Sequence, residues 1–143
     1  MSGDLAEAIQ LYRASISAYP TAEAHTFLGW RLSFDGRYEV AMEECRTAIA
    51  LDPSLGNPYN DMGAYMIELG RLDEAVEWLQ KALESERYCC YCYSHCNLGR
   101  VYLQKGMWQL AKKEFDRALD LNPEYDLARE LRDRASRESG YVG

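Results

Sequence analysis

Apolar side chains recur along the chain at helical spacing. Tyr59, Met62, Met66 and Leu69 fall on one face of a helix, and Leu72, Val76, Leu79 and Leu83 fall on one face of the next. Between the two runs stands Gly70, the kind of residue that ends a helix by adopting a positive φ. The same succession is written three times. Gly29, Gly63 and Gly99 sit in similar frames, 34 and 36 residues apart. Seven residues after each comes a second glycine, Gly36, Gly70 and Gly106, and five further on come Ala41, Ala75 and Ala111. Ala48, Ala82 and Ala118 complete each set after seven more.

Two antiparallel helices approach closely only where the contacting side chains are small, so recurrent Gly and Ala mark an interhelical seam within each unit. The pattern therefore predicts three helical hairpins. Asp52-Pro53 and Asn122-Pro123 place a capping side chain before a proline that suits the first turn of a new helix, and Tyr19-Pro20 repeats this without the cap. With the 34-residue step, these features resemble the tetratricopeptide repeat over roughly residues 22–125. The resemblance implies an all-α protein, a right-handed α-solenoid of stacked antiparallel helix hairpins.

The boundaries follow. Residues 4–20 form an N-terminal half-repeat or capping helix, with Leu5, Ile9, Tyr12 and Ile16 as its apolar stripe and Asp4 and Glu7 as a capping box. Three repeats occupy 21–55, 56–89 and 90–125, the third preceded by a two-residue insertion, with Arg87 near the expected proline. Residues 126–138 make a solvating end helix of the same domain, apolar at Leu127, Leu131 and Ala135. Two family habits are broken: His25, Tyr59 and His95 replace the large aromatic that often opens the first helix, and Cys45 stands where an aromatic or leucine is usual.

In such a solenoid the first helix of each hairpin lines the inner face, where partners bind. By this resemblance the groove positions are Glu23, Thr26, Trp30 and Ser33, then Asn57, Asn60, Ala64 and Ile67, then Tyr93, Cys96, Arg100 and Leu103. Trp30 is a candidate anchor for a partner or a packing residue against the N-terminal helix. Arg100 is a candidate for a ligand carboxylate or for an internal ion pair. Asn57 and Asn60 are candidates for bonding an extended peptide backbone, or for capping a helix or facing water. Family members that grip the C-terminal carboxylate of heat-shock chaperones use Lys, Asn and Arg in this groove. The equivalent positions here are Thr26, Trp30, Asp61, Tyr93 and Asn97, which lack the cations, so no such docking is expected.

Composition narrows the partner. A net charge of −7 disfavours nucleic acid, whose phosphates are held mainly by Lys and Arg. The longest uncharged stretch, 88–97, is too short and too polar to span a bilayer. The first residues carry Asp4 and Glu7 and no basic cluster, which leads to the expectation of a cytoplasmic protein. No cofactor is expected. With no nucleophile elbow or phosphate loop, and with both histidines at packing positions, the expectation is a protein that is not an enzyme.

One cluster stands apart. Cys89, Cys92, His95 and Cys96 carry the residue types of a zinc site, but all crowd one helix start, whereas structural zinc sites show two separated ligand pairs. Tyr88, Tyr91 and Tyr93 beside them either add contact surface or fill the widened joint. Three functions are thus open: an adaptor gripping a protein or peptide in its concave groove, a metal- or redox-responsive module built on the cysteine cluster, and a protein that self-associates through its terminal helices.

Overall fold

The computed structural model describes the backbone of residues 3–18 and 21–140. Its helices are α1 (Gly3–Ala18), α2 (Ala22–Ser33), α3 (Tyr38–Leu51), α4 (Asn57–Glu68), α5 (Leu72–Glu84), α6 (Cys92–Gln104), α7 (Trp108–Leu121) and α8 (Asp126–Gly140). Among the described residues there is no strand, and the one bridge of strand type is a single parallel pairing of Leu55 with Arg87. The fold is an all-α solenoid of helical hairpins. The side chains of Asp4, Leu5, Tyr12 and Ile16, which carry the expected stripe and capping box of α1, lie outside the described residues; Ile9 of that stripe is buried.

The hairpin turns share one construction. Gly36, Gly70 and Gly106 have φ of 72°, 76° and 72°. In each case the next N–H reaches back five residues: Arg37 to the Leu32 carbonyl at 3.3 Å, Arg71 to Met66 at 2.8 Å and Met107 to Tyr102 at 2.9 Å. These bonds satisfy carbonyls that a helix end would leave open, and only glycine takes the required φ without strain.

The seams explain the other glycines. A Cβ on Gly29 would lie 2.9 Å from the Ala41 carbonyl oxygen, one on Gly63 2.5 Å from Leu79 Cγ, and one on Gly99 2.4 Å from Phe115 Cε1. The helices touch there, and the six seam alanines are fully buried. α2 pairs with α3, α4 with α5 and α6 with α7, while α2 packs on α4 and α4 on α6, so the three first helices lie side by side. α1 covers α2, and α8 covers α7 and α6. In α8 the buried positions are Ala128 and Ala135; Leu127, expected on the apolar face, is exposed, one step around the helix from Ala128.

The joints between hairpins depart from the sequence expectation. Pro53 and Pro123 do not open helices. Asp52 and Asn122 instead close α3 and α7, and their side-chain oxygens accept N–H bonds from Ser54 (3.0 Å) and Glu124 (3.2 Å) in local turns. The side chain thus caps the turn itself, and α4 begins only at Asn57, with Pro58 in its first turn.

Candidate functional site

The first helices and the joints enclose a cleft of about 530 Å³. α2 contributes Glu23, Thr26, Phe27 and Trp30, and α4 contributes Asn57, Asn60 and Asp61. Tyr93 and Asn97 come from α6, while Leu55, Tyr88 and Tyr125 come from the connecting segments. Phe27, Trp30 and Tyr93 are 54%, 45% and 41% exposed, although rings of this size are usually well covered. Trp30 stands edge-on to Phe34 with centroids 4.6 Å apart, and Tyr93 meets Tyr125 in the same manner at 5.6 Å. Trp30 is therefore a groove residue and not core.

Six of the twelve positions expected in the groove line this cleft: Glu23, Thr26, Trp30, Asn57, Asn60 and Tyr93. The other six do not. Ile67, Cys96 and Leu103 are buried, Ala64 and Ser33 are partly covered, and the Ser33 hydroxyl donates to the Trp30 carbonyl at 2.5 Å. Arg100 is held inside the molecule, donating to Glu68 and to Asn97, each at 2.9 Å. Phe27, Asp61 and Asn97 each stand one residue beyond an expected position, so the face presented to the cleft is rotated by about 100° from part of the expected one. All five positions equivalent to the chaperone-gripping set line the cleft, and none is a cation.

The amides are tied into one network. Asn60 Oδ1 accepts from the Ser94 hydroxyl (2.9 Å) and from Asn97 Nδ2 (3.0 Å), and Tyr88 shares a hydrogen bond with Ser94 at 3.0 Å. Asn57 Nδ2 donates toward Cys89 Sγ at 3.3 Å. Asn57 and Asn60 thus serve first to fix the cleft wall. Asp61 differs: among the described residues its hydrogen-bond partner is Asn60 Nδ2, at 3.5 Å, and burial raises its carboxyl to about 7.

Tyr88 of the widened α5–α6 joint lines the cleft floor, and Arg87 holds that joint from outside the lining. Arg87 donates its N–H to the Ser54 carbonyl, its own carbonyl accepts from Gly56, and its guanidinium pairs with Asp52 and Glu23. A Cβ on Gly56 would lie 2.8 Å from Tyr88 Cγ, so the glycine admits the tyrosine. Tyr91 fills the same loop, its hydroxyl donating to the Ser85 carbonyl at 2.7 Å.

The cysteine cluster is not arranged as a ligand set. Cys92 is joined to Cys90 by a disulfide, Cys96 is buried and Cys89 is exposed. His95 Nδ1 lies 2.8 Å from Glu114 in the α6–α7 seam. Among the described residues no three His, Cys, Asp or Glu side chains are placed to hold a metal. His25 repeats the seam arrangement, 2.7 Å from Glu44. These histidines replace the family's aromatic with a polar pair across the hairpin.

The arrangement is that of an α-solenoid built from repeated helical hairpins. Family models described as tetratricopeptide repeat match residues 2–55 and 54–124, and the chain belongs to that family. It is 31% identical over 123 residues to the type IV pilus assembly protein PilF of Pseudomonas aeruginosa, a match covering 85% of this chain and 49% of that protein, so the chain spans about half the length of this relative. The solved structure of the Pseudomonas aeruginosa PilF superposes with a TM-score of 0.85 at 27% identity, covering 98% of this chain and 64% of that one. PilW, a type IV pilus biogenesis factor, gives 0.86 at 21% identity over 96% of this chain and 63% of that one. The second such domain of human RPAP3, solved with the HSP70 peptide SGPTIEEVD, gives 0.70 at 20% identity over 80% of this chain and 94% of that one. The last two likenesses concern the fold. Among the described residues no helix is long and apolar enough to cross a membrane.

Proposed function

We propose that this protein is a non-enzymatic adaptor that holds a polypeptide segment of a partner in the cleft across α2, α4 and α6. Tetratricopeptide repeats generally mediate protein–protein interaction, and the observation that carries the reading here is the row of exposed rings, Phe27, Trp30 and Tyr93, facing one concave cleft. Large aromatics presented on a rigid scaffold are characteristic binding anchors. The 31% identity with PilF, a type IV pilus assembly protein, supports a place within an assembly.

Replacing Trp30 by Ala is expected to weaken partner binding by about 2 kcal/mol or more and to leave helicity intact. Pull-downs with the wild-type and Trp30→Ala chains, read by quantitative mass spectrometry beside circular dichroism, test this. A prey retained equally by both chains would show that the cleft is not the binding surface. The cytoplasmic setting expected from the sequence and the Cys90–Cys92 disulfide pull in opposite directions, because disulfides persist mainly in oxidising compartments. Thiol-blocking lysis of the native cell followed by peptide mass spectrometry decides between them.

A further inference from the structure

Among the described residues no Lys or Arg lines the cleft, and the charged residues that do are Glu23 and Asp61. They are in different situations. Glu23 lies at the rim with the Arg87 guanidinium at 3.1 Å. Asp61 enters no ion pair among the described residues, and its contact with Asn60 Nδ2 is at the outer limit of a hydrogen bond. Asn60 cannot turn to serve it better, because its oxygen is held by Ser94 and Asn97. Asp61 is therefore held among aromatic walls without a counter-charge among the described residues, which costs stability whenever the carboxyl is ionised unless a cation pairs with it.

We infer that the cleft takes a Lys or Arg side chain of the partner segment, with its charge against the Asp61 carboxylate and its alkyl stem against the rings of Phe27, Trp30 and Tyr93. The inference rests on the groove reading above and adds the chemistry of the anchor. Ring faces attract cations, and the methylene stems of Lys and Arg pack on apolar surface while the head group stays polar. The chain already makes such contacts: Arg31 lies 5.4 Å from the Phe34 centroid and 6.0 Å from that of Trp30, itself a cleft ring, and Lys81 lies 4.4 Å from that of Trp78. A basic segment also suits a chain of net charge −7. The peptide bound by the RPAP3 domain, SGPTIEEVD, has the opposite sign, and an ionised Asp61 would repel it.

The groups around Asp61 make its titration readable. Cys45 of α3, Tyr65 of α4, Tyr88 of the α5–α6 loop and Tyr125 are all pushed upward by burial and stay neutral through pH 6–8. Tyr93 of α6 lines the same cleft, and Glu23 of α2 is matched by Arg87. The carboxyl of Asp61 ordinarily ionises near 3.8 and here near about 7, so the folded state holds a proton that the unfolded chain has lost. Stability from this group is complete below the unfolded value and declines as pH rises through the folded one. A bound cation favours the ionised form, so binding strengthens as pH rises across the same interval.

The test selects phage-displayed random 12-residue peptides on the whole chain at pH 8, then measures the enriched peptides by calorimetry. A fixed Lys or Arg is expected in the enriched set. Asp61→Asn should weaken such a peptide at least 10-fold, replacement of its Lys by norleucine or its Arg by citrulline should do the same, and the two changes together should cost little more than either. Binding by wild type should fall several-fold from pH 8 to pH 6, with a smaller change for Asp61→Asn. The Asp61→Asn chain should melt with wild type below pH 4 and above it at pH 8, which excludes misfolding as the cause. Peptides without a basic residue that are weakened by Trp30→Ala but not by Asp61→Asn would overturn the cationic anchor and leave the groove reading standing. Peptides indifferent to both substitutions, or no enrichment, count against both readings. Binding of acetyl-lysine-amide as tightly as of any peptide would make the site one for small amines and overturn the polypeptide assignment.

Discussion

The middle hairpin and its two neighbours fill the same seam position with opposite chemistry. In the first and third hairpins the contact is His25 with Glu44 and His95 with Glu114, while in the second it is Tyr59 against Trp78, with centroids 6.1 Å apart. Each pair is separated by 19 residues. The backbone geometry is common to all three, set by the glycines and alanines, so the position near the helix start is free to be a polar pair or an aromatic pair. What the repeat fixes is the distance between helices, not the nature of the bond across it.

The most severe way to break the equivalence is to add bulk where the helices touch. Gly63→Leu should destabilise the chain by about 3 kcal/mol or more, because the new side chain must displace Leu79, which is fully buried. Gly36→Ala is the control: it meets nothing within 4 Å and suffers only from φ of 72°, so it should cost about 1 kcal/mol. Urea denaturation of the two variants measures the difference. Equal losses would mean that turn conformation and not seam contact governs the glycines.

The seam glycines were legible in the sequence because close approach leaves no choice of residue there. Half of the cleft was legible for a similar reason, since Glu23, Thr26, Trp30, Asn57, Asn60 and Tyr93 follow helical spacing. The same spacing failed at Ser33, Ala64, Ile67, Arg100 and Leu103, which lie beyond the last lining residue of each helix (Trp30, Asp61 and Asn97), and at Cys96, which is buried one step around α6 from Asn97. Leu55, Tyr88 and Tyr125 lie in connections, which carry no periodicity to read. The Cys90–Cys92 link was illegible too: spacing drew attention to Cys89 and Cys92, and which sulfurs meet depends on how the loop turns into α6.

A gentler change sharpens the contrast between seams. Glu114 is 8% exposed and bonded both to His95 and, at 2.8 Å, to the half-exposed Arg117, so Glu114→Ala should cost about 2 kcal/mol, mainly by leaving the largely covered His95 ring without its partner. If the position accepts either chemistry, His95→Tyr combined with Glu114→Trp should recover more than half of that loss. A double variant less stable than Glu114→Ala in thermal melts would show that the third hairpin is shaped for its polar pair alone.

The smallest effect is expected at the joints, where the comparison is between contacts of backbone and contacts of charge. Arg87 joins the α3–α4 turn to the α5–α6 loop both by two backbone bonds with Ser54 and Gly56 and by its exposed guanidinium, which pairs with Asp52 and Glu23. Exposed pairs of this kind contribute little to global stability, while backbone bonds under a packed tyrosine open only with the joint itself. Arg87→Met should therefore leave the denaturation midpoint nearly unchanged, yet speed amide exchange at Gly56 and at residue 87 relative to amides in the α6–α7 seam. The Asp52 carboxyl is held below its ordinary range by the Ser54 hydroxyl first and by Arg87 second. Its contribution is present above the unfolded value and is lost as pH falls through the lowered one, so acid should loosen the wild-type joint toward the exchange rate of the variant. Exchange that is unchanged by either treatment would mean that the floor of the cleft is held by Tyr88 and the backbone alone.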